Sequence, residues 1–290
     1  MGFSVELHIA GGAAQTVAAC YSGRKKRITV DGAEVSRLTD SVGNWLAVAF
    51  LPSDVGLASG PAAERRQYLD RVLSLSDRRY LRALTSYRSA LAQRNSALRQ
   101  GRPDIAQAFN GALGAAGAVL VRTRLNWVSQ AAAHFACELE ALGERGTASL
   151  RYQGRAELTD TTAWEATLAE TLAEDCSRCA TTAGPHRDDL VLEVGGRRLR
   201  DFGSTGQQRS AAIALKLIEI LSLRLARDTE PALLLDDVFA ELDGERQSRL
   251  ARRLLDSADR QVFITSPRRD ELPANLDLPV WTVADGRVSS

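Results

Sequence analysis

The chain has 290 residues, 44% of them hydrophobic and 25% charged, enough apolar content to bury a full core as one large domain or two ordinary ones. No run reaches the roughly 18 to 20 apolar residues of a membrane span, and the start lacks the basic and apolar pattern of a secretory signal, so a cytoplasmic protein is expected. A net charge of +1 excludes the large positive excess that marks many nucleic-acid binders, and 34 of the 37 basic residues are arginine, a skew that names no partner.

Phe3 to Ile9 alternates apolar and polar residues as a half-buried strand does, and Val17 to Tyr21 repeats the pattern after Gly11-Gly12. Arg27 to Val35 contains Asp31-Gly32, the dipeptide of a tight hairpin, so an antiparallel meander is predicted. Trp45 to Leu51 reads as a buried strand, and Pro52 to Pro61, rich in Pro, Gly and Ser, as a loop. Ser76 or Asp77 is placed to cap a helix whose residues Tyr80, Leu84, Tyr87, Leu91 and Leu98 share one stripe. Its polar side, with Arg82, Arg88, Arg94 and Arg99, is expected to face solvent.

A second long helix carries Val121, Leu125, Val128, Ala132, Phe135, Leu139 and Leu142 at alternating steps of four and three, with Gly101 to Gly117 loosely structured before it. The two predict an antiparallel helical hairpin standing off a sheet domain. Thr147 to Tyr152 reads as a strand, Trp164 to Cys179 as helical, and Leu190 to Phe202 as a hairpin turning at Gly195-Gly196. A long helix then runs from Gly203-Ser204-Thr205-Gly206 to about Ala226. It is followed by a strand at Ala232 to Leu235, a helix around Arg246 to Leu255, a strand at Gln261 to Thr265 and a last one at Val280 to Ala284. This alternation builds a covered α/β sheet.

Two stretches carry chemistry. In Pro231-Ala232-Leu233-Leu234-Leu235-Asp236-Asp237 an apolar strand ends in two carboxylates, where open α/β sheets place their ligands. One acid there suits Mg2+ on nucleotide phosphates and the next suits an attacking water, so Asp236 is read as metal ligand and Asp237 as the catalytic carboxylate. Ser204-Thr205-Gly206-Gln207-Gln208-Arg209 opens the long helix, where unpaired N–H donors and the dipole favour an anion. Capping by Ser204 alone accounts for the serine but assigns nothing to Gly206, Gln207 or Gln208. Cys176 and Cys179 form an isolated C-x-x-C pair; Cys20 and Cys137 offer no second pair, and a zinc module is the weakest reading.

The order of these parts, with Ala240 to Asp243 and then a strand ending in Thr265, is that of the second half of an ABC-type ATPase head. Gly184-Pro185-His186-Arg187-Asp188-Asp189-Leu190, the run Ser204 to Ser210, and Leu233 to Val238 resemble the motifs of the RecF family of bacterial DNA replication and repair proteins. Phe50-Leu51-Pro52-Ser53-Asp54, Gly60-Pro61, Arg65-Arg66 and Leu69-Asp70 are similar to its middle section.

The resemblance implies a mixed α/β, ABC-type head at 1–60 and 147–290 with an α-helical lobe inserted at 61–146. It implies a signature loop of Ser204, Gly206, Gln207 and Gln208 acting on nucleotide in a second subunit, Asp236 as Walker B ligand and Asp237 as catalytic acid. Asp243 would be the D-loop acid and Thr265 the switch residue. ATP and Mg2+ are the implied cofactors. Double-stranded, gapped and single-stranded DNA, RecR, RecO and an ATP-dependent homodimer are the implied partners, with assistance to RecA loading and the SOS response as the setting. His186 and Arg187 belong to a motif whose chemistry the residues do not disclose.

The sequence departs from the family at one point: no G-x-x-x-x-G-K-[ST] phosphate loop is present, and Ser22-Gly23-Arg24-Lys25-Lys26 has neither its spacing nor its Ser/Thr. The simplest expectation is that the first part of the sheet domain is missing, leaving an exposed edge or apolar face. The alternative function is a nucleotide-independent interaction module, a truncated or degenerate relative without ATPase activity. Without a phosphate cradle, equilibrium dialysis of this chain against ATP is expected to show no low-micromolar binding; a dissociation constant in that range would overturn the expectation.

Overall fold

A computed structural model describes residues 3–9, 15–24, 26–36, 42, 45–240, 242–255, 260–273 and 278–289. Four antiparallel strands open the chain: β1 (Phe3–Ile9), β2 (Gln15–Tyr21), β3 (Lys26–Val30) and β4 (Ala33–Glu34), in spatial order 1-2-3-4. The β3–β4 turn has Asp31 at φ 51° and Gly32 at φ 81°, the doubly left-handed geometry for which Asp-Gly is suited.

Strand β5 (Ala47–Phe50) pairs in parallel with β9 (Ala232–Asp236), which pairs in parallel with β10 (Val262–Thr265). Between β5 and β9 lie most of the helices. Pro52 to Gly60, expected as loop, is a 3-10 turn followed by the single helical turn α1 (Gly56–Ser59); Asp54 accepts from the Leu51 N–H at 2.7 Å and starts the turn. Helix α2 (Ala62–Ser76) follows, then α3 (Arg78–Arg99), capped by Asp77, whose carboxylate accepts from the Arg79 N–H at 2.7 Å. Residues 101–117 are also ordered, as α4 (Pro103–Ala108) and the first two turns of α5 (Asn110–Ala141). Their Ala and Gly content hid this, because small residues give little apolar periodicity while packing helices closely.

Strands β6 (Ala148–Gln153), β7 (Asp189–Val194) and β8 (Arg197–Arg198) form an antiparallel sheet, and the predicted strand to Phe202 instead turns into the short helix α8 (Leu199–Phe202). Helices α6 (Thr161–Glu170) and α7 (Leu172–Arg178) break at Thr171. Helix α9 (Thr205–Arg227) precedes β9, α10 (Gly244–Leu255) precedes β10, and β11 (Thr282–Ala284) with β12 (Arg287–Ser289) closes the chain. Among the described residues no helix is long and apolar enough to cross a membrane.

Two large cores result. One joins α2, α3, α5, α6, β6 and β7 to the Ala211, Ala214, Leu215 and Ile218 side of α9; the other joins β5, β9 and α10 to its Ile213, Ile220 and Leu223 side. The parallel sheet is covered on the face of Val48, Phe50, Leu233 and Leu235, while Leu234 and Phe263, adjacent in register on the other face, are exposed. Parallel sheets are ordinarily covered on both faces, and these two side chains are the exposed apolar ones on this face among the described residues.

One expectation fails clearly. Arg94 is fully buried: its guanidinium donates to Asp175 at 2.7 Å, Thr181 at 2.6 Å and Asn110 at 3.0 Å. It lies seven residues after Tyr87, on the apolar stripe itself, and a buried charge persists there because Asp175 neutralises it.

Trp164, also fully buried, lies against the α5 glycines: a Cβ at Gly114 would meet the Trp164 Cβ at 2.9 Å, and one at Gly117 would collide with its ring. Gly117→Ala is therefore expected to destabilise by about 1–2 kcal/mol in urea unfolding, overpacking outweighing the gain in helix propensity. Gly111→Ala, with open space around it, should be neutral or stabilise by up to about 1 kcal/mol.

Candidate nucleotide site and its supports

Strand β9 is central in its sheet, so the parallel ladders on both sides fix the direction in which its carboxyl end points. Asp236 is exposed there and Thr265, its register partner on β10, donates from Oγ1 to the Asp236 carboxylate at 2.6 Å. Asp237 leaves the strand: its N–H still donates to the Thr265 carbonyl at 3.0 Å, but its φ is 53°, a left-handed conformation that Asp tolerates better than most residues. Its Oδ1 is buried with no hydrogen-bond partner among the described residues. A buried lone carboxylate oxygen is costly unless something else supplies a donor, which is the position of a group that serves a bound water or ligand.

The predicted signature stretch lies at the surface of the first turn of α9. Ser204 Oγ accepts from the Gln207 N–H at 3.2 Å and Gln207 Oε1 accepts from the Ser204 N–H at 3.1 Å, a reciprocal capping box. Gln208 donates to the Leu199 carbonyl at 2.8 Å. Gly206 leaves room for the Arg246 guanidinium: a Cβ there would lie 2.9 Å from Arg246 Nη1. Each residue that capping by Ser204 alone left unexplained thus has a local structural task.

Sequence reasoning missed what ties these pieces together. Arg209, one turn into α9, donates to the Asp237 carbonyl at 3.2 Å and the Val238 carbonyl at 3.4 Å, locking the helix to the loop after β9. Lys216, buried two turns further on, pairs with Glu219 at 3.2 Å and Asp54 at 3.6 Å. Asp54, Arg209, Lys216, Asp236 and Asp237 line one small cavity. The available signal was Lys216 itself: a lysine between Leu215 and Leu217, in a chain with only three, requires a buried partner.

Asp243 caps α10, accepting from the Arg246 N–H at 2.9 Å. Arg246, Arg249 and Arg253 then form a stripe along α10 against the end of α5. Arg253 grips Glu138 at 2.9 and 3.0 Å, Arg249 approaches Gly143, and Arg246 pairs with the nearly buried Glu144 at 2.9 Å. Glu144 also accepts from Ser210 Oγ of α9 at 2.7 Å. The end of the helical hairpin, the start of α9 and the Asp243 turn therefore share one carboxylate.

Cys176 is in the last turn of α7 and Cys179 caps it in a left-handed conformation; among the described residues no group of three or more His, Cys, Asp or Glu gathers as a metal set. His186 sits in a built network. Its Nε2 faces the Thr181 carbonyl at 3.0 Å, so that nitrogen donates, and Nδ1 accepts from the Tyr87 hydroxyl at 2.7 Å.

With this geometry in view, comparison with known proteins is decisive. The chain is 38% identical to the DNA replication and repair protein RecF of Roseiflexus castenholzii, over 85% of this chain and 66% of the relative. It is 36% identical to the proteins of that name from Geobacter sulfurreducens (86% and 70%) and Chloroflexus aurantiacus (92% and 72%). The chain belongs to the RecF family. It spans about two thirds of the length of these RecF relatives. A solved structure of the recombination mediator protein RecF-ATPrS superposes with a TM-score of 0.86 at 26% identity, covering 99% of this chain and 80% of that one; the RecF-ATP structure gives 0.81 at 25%, covering 95% and 76%. An Smc head superposes at 0.51 and 14% identity, a likeness of fold alone. No protein-family model matches the chain. The fold is thus that of an ABC-type ATPase head, as RecF and Smc heads share it.

Burial, with help from the Arg187 and Arg66 charges and against the Thr181 hydrogen bond, lowers the His186 pKa to about 4. Its unfolded value is near 6.5, so between pH 6.5 and about 4 the unfolded chain binds the extra proton and stability falls as pH falls, by roughly 3 kcal/mol across the window. NMR titration is expected to find the His186 ring neutral at pH 5.5; a midpoint near 6.5 would contradict the network.

Proposed function

We propose that this chain forms one side of an ATP-controlled DNA clamp of replication and recombinational repair. In this reading the turn Ser204 to Gln208 faces nucleotide held by another subunit. The observation that carries it is the pair of carboxylates at the end of β9: Asp236 exposed with one oxygen held by Thr265, and Asp237 presenting a buried oxygen without a partner among the described residues. Mg2+, where bound, would add a Lewis acid on the phosphates, a role that one or two carboxylates plus substrate oxygens suffice to support.

The chain's own residues do the rest. Asp236 supplies the hard oxygen ligand and Thr265 orients it. Asp237 holds and orients a water, with its loop fixed by Arg209 through the carbonyls at 237 and 238. Ser204 and the free N–H groups of the α9 first turn offer donors to an incoming phosphate, for which the Ser204–Gln207 capping box opens. Asp243 lies at the head of α10, joined to the same region by Arg246, where a second subunit would be read. DNA, RecR and RecO as partners, a homodimer as the working form, and support of RecA loading belong to this proposal. The nucleotide-independent alternative has one observation in its favour: every signature side chain already has a partner within the chain.

One experiment separates them. Because the composite site needs a phosphate loop from one subunit and a signature turn from the other, this chain is expected to associate with a phosphate-loop-bearing RecF relative when ATP is added, and Gly206→Glu in this chain should abolish the complex. Sedimentation showing no ATP-dependent complex, or one that Gly206→Glu leaves intact, favours the interaction module.

A further inference from the structure

The motif Gly184 to Leu190 has no part in the nucleotide site, yet the structure places its first residues in the wall of a separate cleft. Helices α2 and α3 meet at Asp77, and residues of both, together with Leu120 and Arg124 of α5, line the gap. The space between them is about 350 Å³, within the range of small-ligand sites. Its apolar surfaces come from Leu84, Leu91, Leu120 and Pro185; its polar groups are Arg66, Gln67, Arg88 and the Tyr87–His186 pair.

The walls are held rigid. Buried Arg124 donates to Asp70 at 2.8 Å, to the Tyr80 hydroxyl at 3.0 Å and to the Pro185 carbonyl at 2.7 Å, so it fixes the motif loop against α2 and α3. Arg66 donates to the Asp188 carbonyl at 2.8 Å through one nitrogen. Arg88 donates to Asp70 at 2.9 Å through one nitrogen, with its side chain largely exposed. Both arginines line the cleft.

Charge and size select that ligand. Three arginines and one carboxylate line the space, and the cationic field is felt at His186, whose protonation Arg187 and Arg66 both oppose. An anion is therefore favoured. The lining runs from Ala63 to Asp70 on α2 and from Leu84 to Leu91 on α3, seven steps on each helix, or about 10 Å. A docked helix several turns long does not fit that length, and a double helix is too wide to enter. A flat ring beside a phosphate does fit, with guanidinium groups at the mouth and aliphatic walls behind.

We propose that this cleft binds a single nucleotide unit, its phosphate on Arg66 and Arg88 and its base between the Leu84–Leu91 wall and Pro185. The unit comes from an unpaired stretch of DNA strand or from a free mononucleotide. The motif at 184–190 then has a task of its own: it supplies one wall and, through Arg124, its fixed position. The proposal needs no ATP and no second subunit, so its failure leaves the reading of the nucleotide site untouched.

The test is fluorescence anisotropy of the chain with a short labelled oligothymidylate, with dTMP and oligoglutamate as competitors. Ala63→Trp fills the cleft from its exposed rim without touching the Arg124 network, and Arg88→Ala removes one phosphate donor. Each is expected to weaken oligothymidylate binding by about tenfold with an unchanged melting temperature for Ala63→Trp. Arg88→Ala should lower the log–log salt slope by roughly 0.7. Competition by dTMP identifies the free nucleotide as occupant, and its absence identifies the strand; both support the site. Oligothymidylate affinity unchanged in both variants, or oligoglutamate binding lost in Ala63→Trp while oligothymidylate binding persists, overturns it.

Discussion

Helix α9 is apolar on opposite sides, and each side completes a different core. That requirement governs the rest of the molecule. A helix packed on both sides has no freedom to rotate or slide, since either motion opens cavities in two places at once. Its first turn, the predicted signature, is therefore held at a set position relative to the end of β9. The two Arg209 hydrogen bonds to the Asp237 loop complete that setting where the nucleotide chemistry would occur.

The polar interior follows the same logic. Arg94, Arg124 and Lys216 are all buried cations, and each meets a carboxylate from a distant part of the chain, namely Asp175, Asp70 and Asp54, with Glu219 one turn along α9 as a second partner of Lys216. Buried ion pairs of this kind add little net stability against an apolar alternative, but breaking one costs about 3–5 kcal/mol. They act as registry pins. Glu144 joins two further elements, because Ser210 of α9 and Arg246 of α10 both converge on it. Displacement of the helical hairpin would thus be felt at the signature turn and at the Asp243 turn together.

The RecF family assignment and the geometry reinforce each other at different levels. Similarity to RecF proteins over most of this chain establishes the family, while the parallel pairing of β5, β9 and β10 explains why two acids emerge together at one end of the sheet. Leu234 and Phe263 lie on the opposite face of that sheet and are exposed among the described residues.

The sequence by itself determined the elements whose signals are local. The strands β1 to β3, Asp31-Gly32 at the hairpin, Asp77 as cap, the heptad stripes of α3 and α5, and the apolar strand ending at Asp236 all depend on near neighbours, and each of these elements is present in the structure. The same holds for the placing of Ser204 to Gln208 at a helix start and of Thr265 at a strand end. Local reasoning failed where small residues mask periodicity, as in the α4 and α5 segment from 103 to 117, and where a charge occupies a core position, as at Arg94. Only the tertiary structure decided which cations would be buried, that Arg209 rather than the signature side chains reaches the Asp237 loop, and that Gly184 to Leu190 walls a cleft built by three helices. Those facts depend on distant partners, from 28 residues apart for Arg209 and Asp237 to 216 − 54 = 162 for Lys216 and Asp54, and no period or cap encodes a contact at that range.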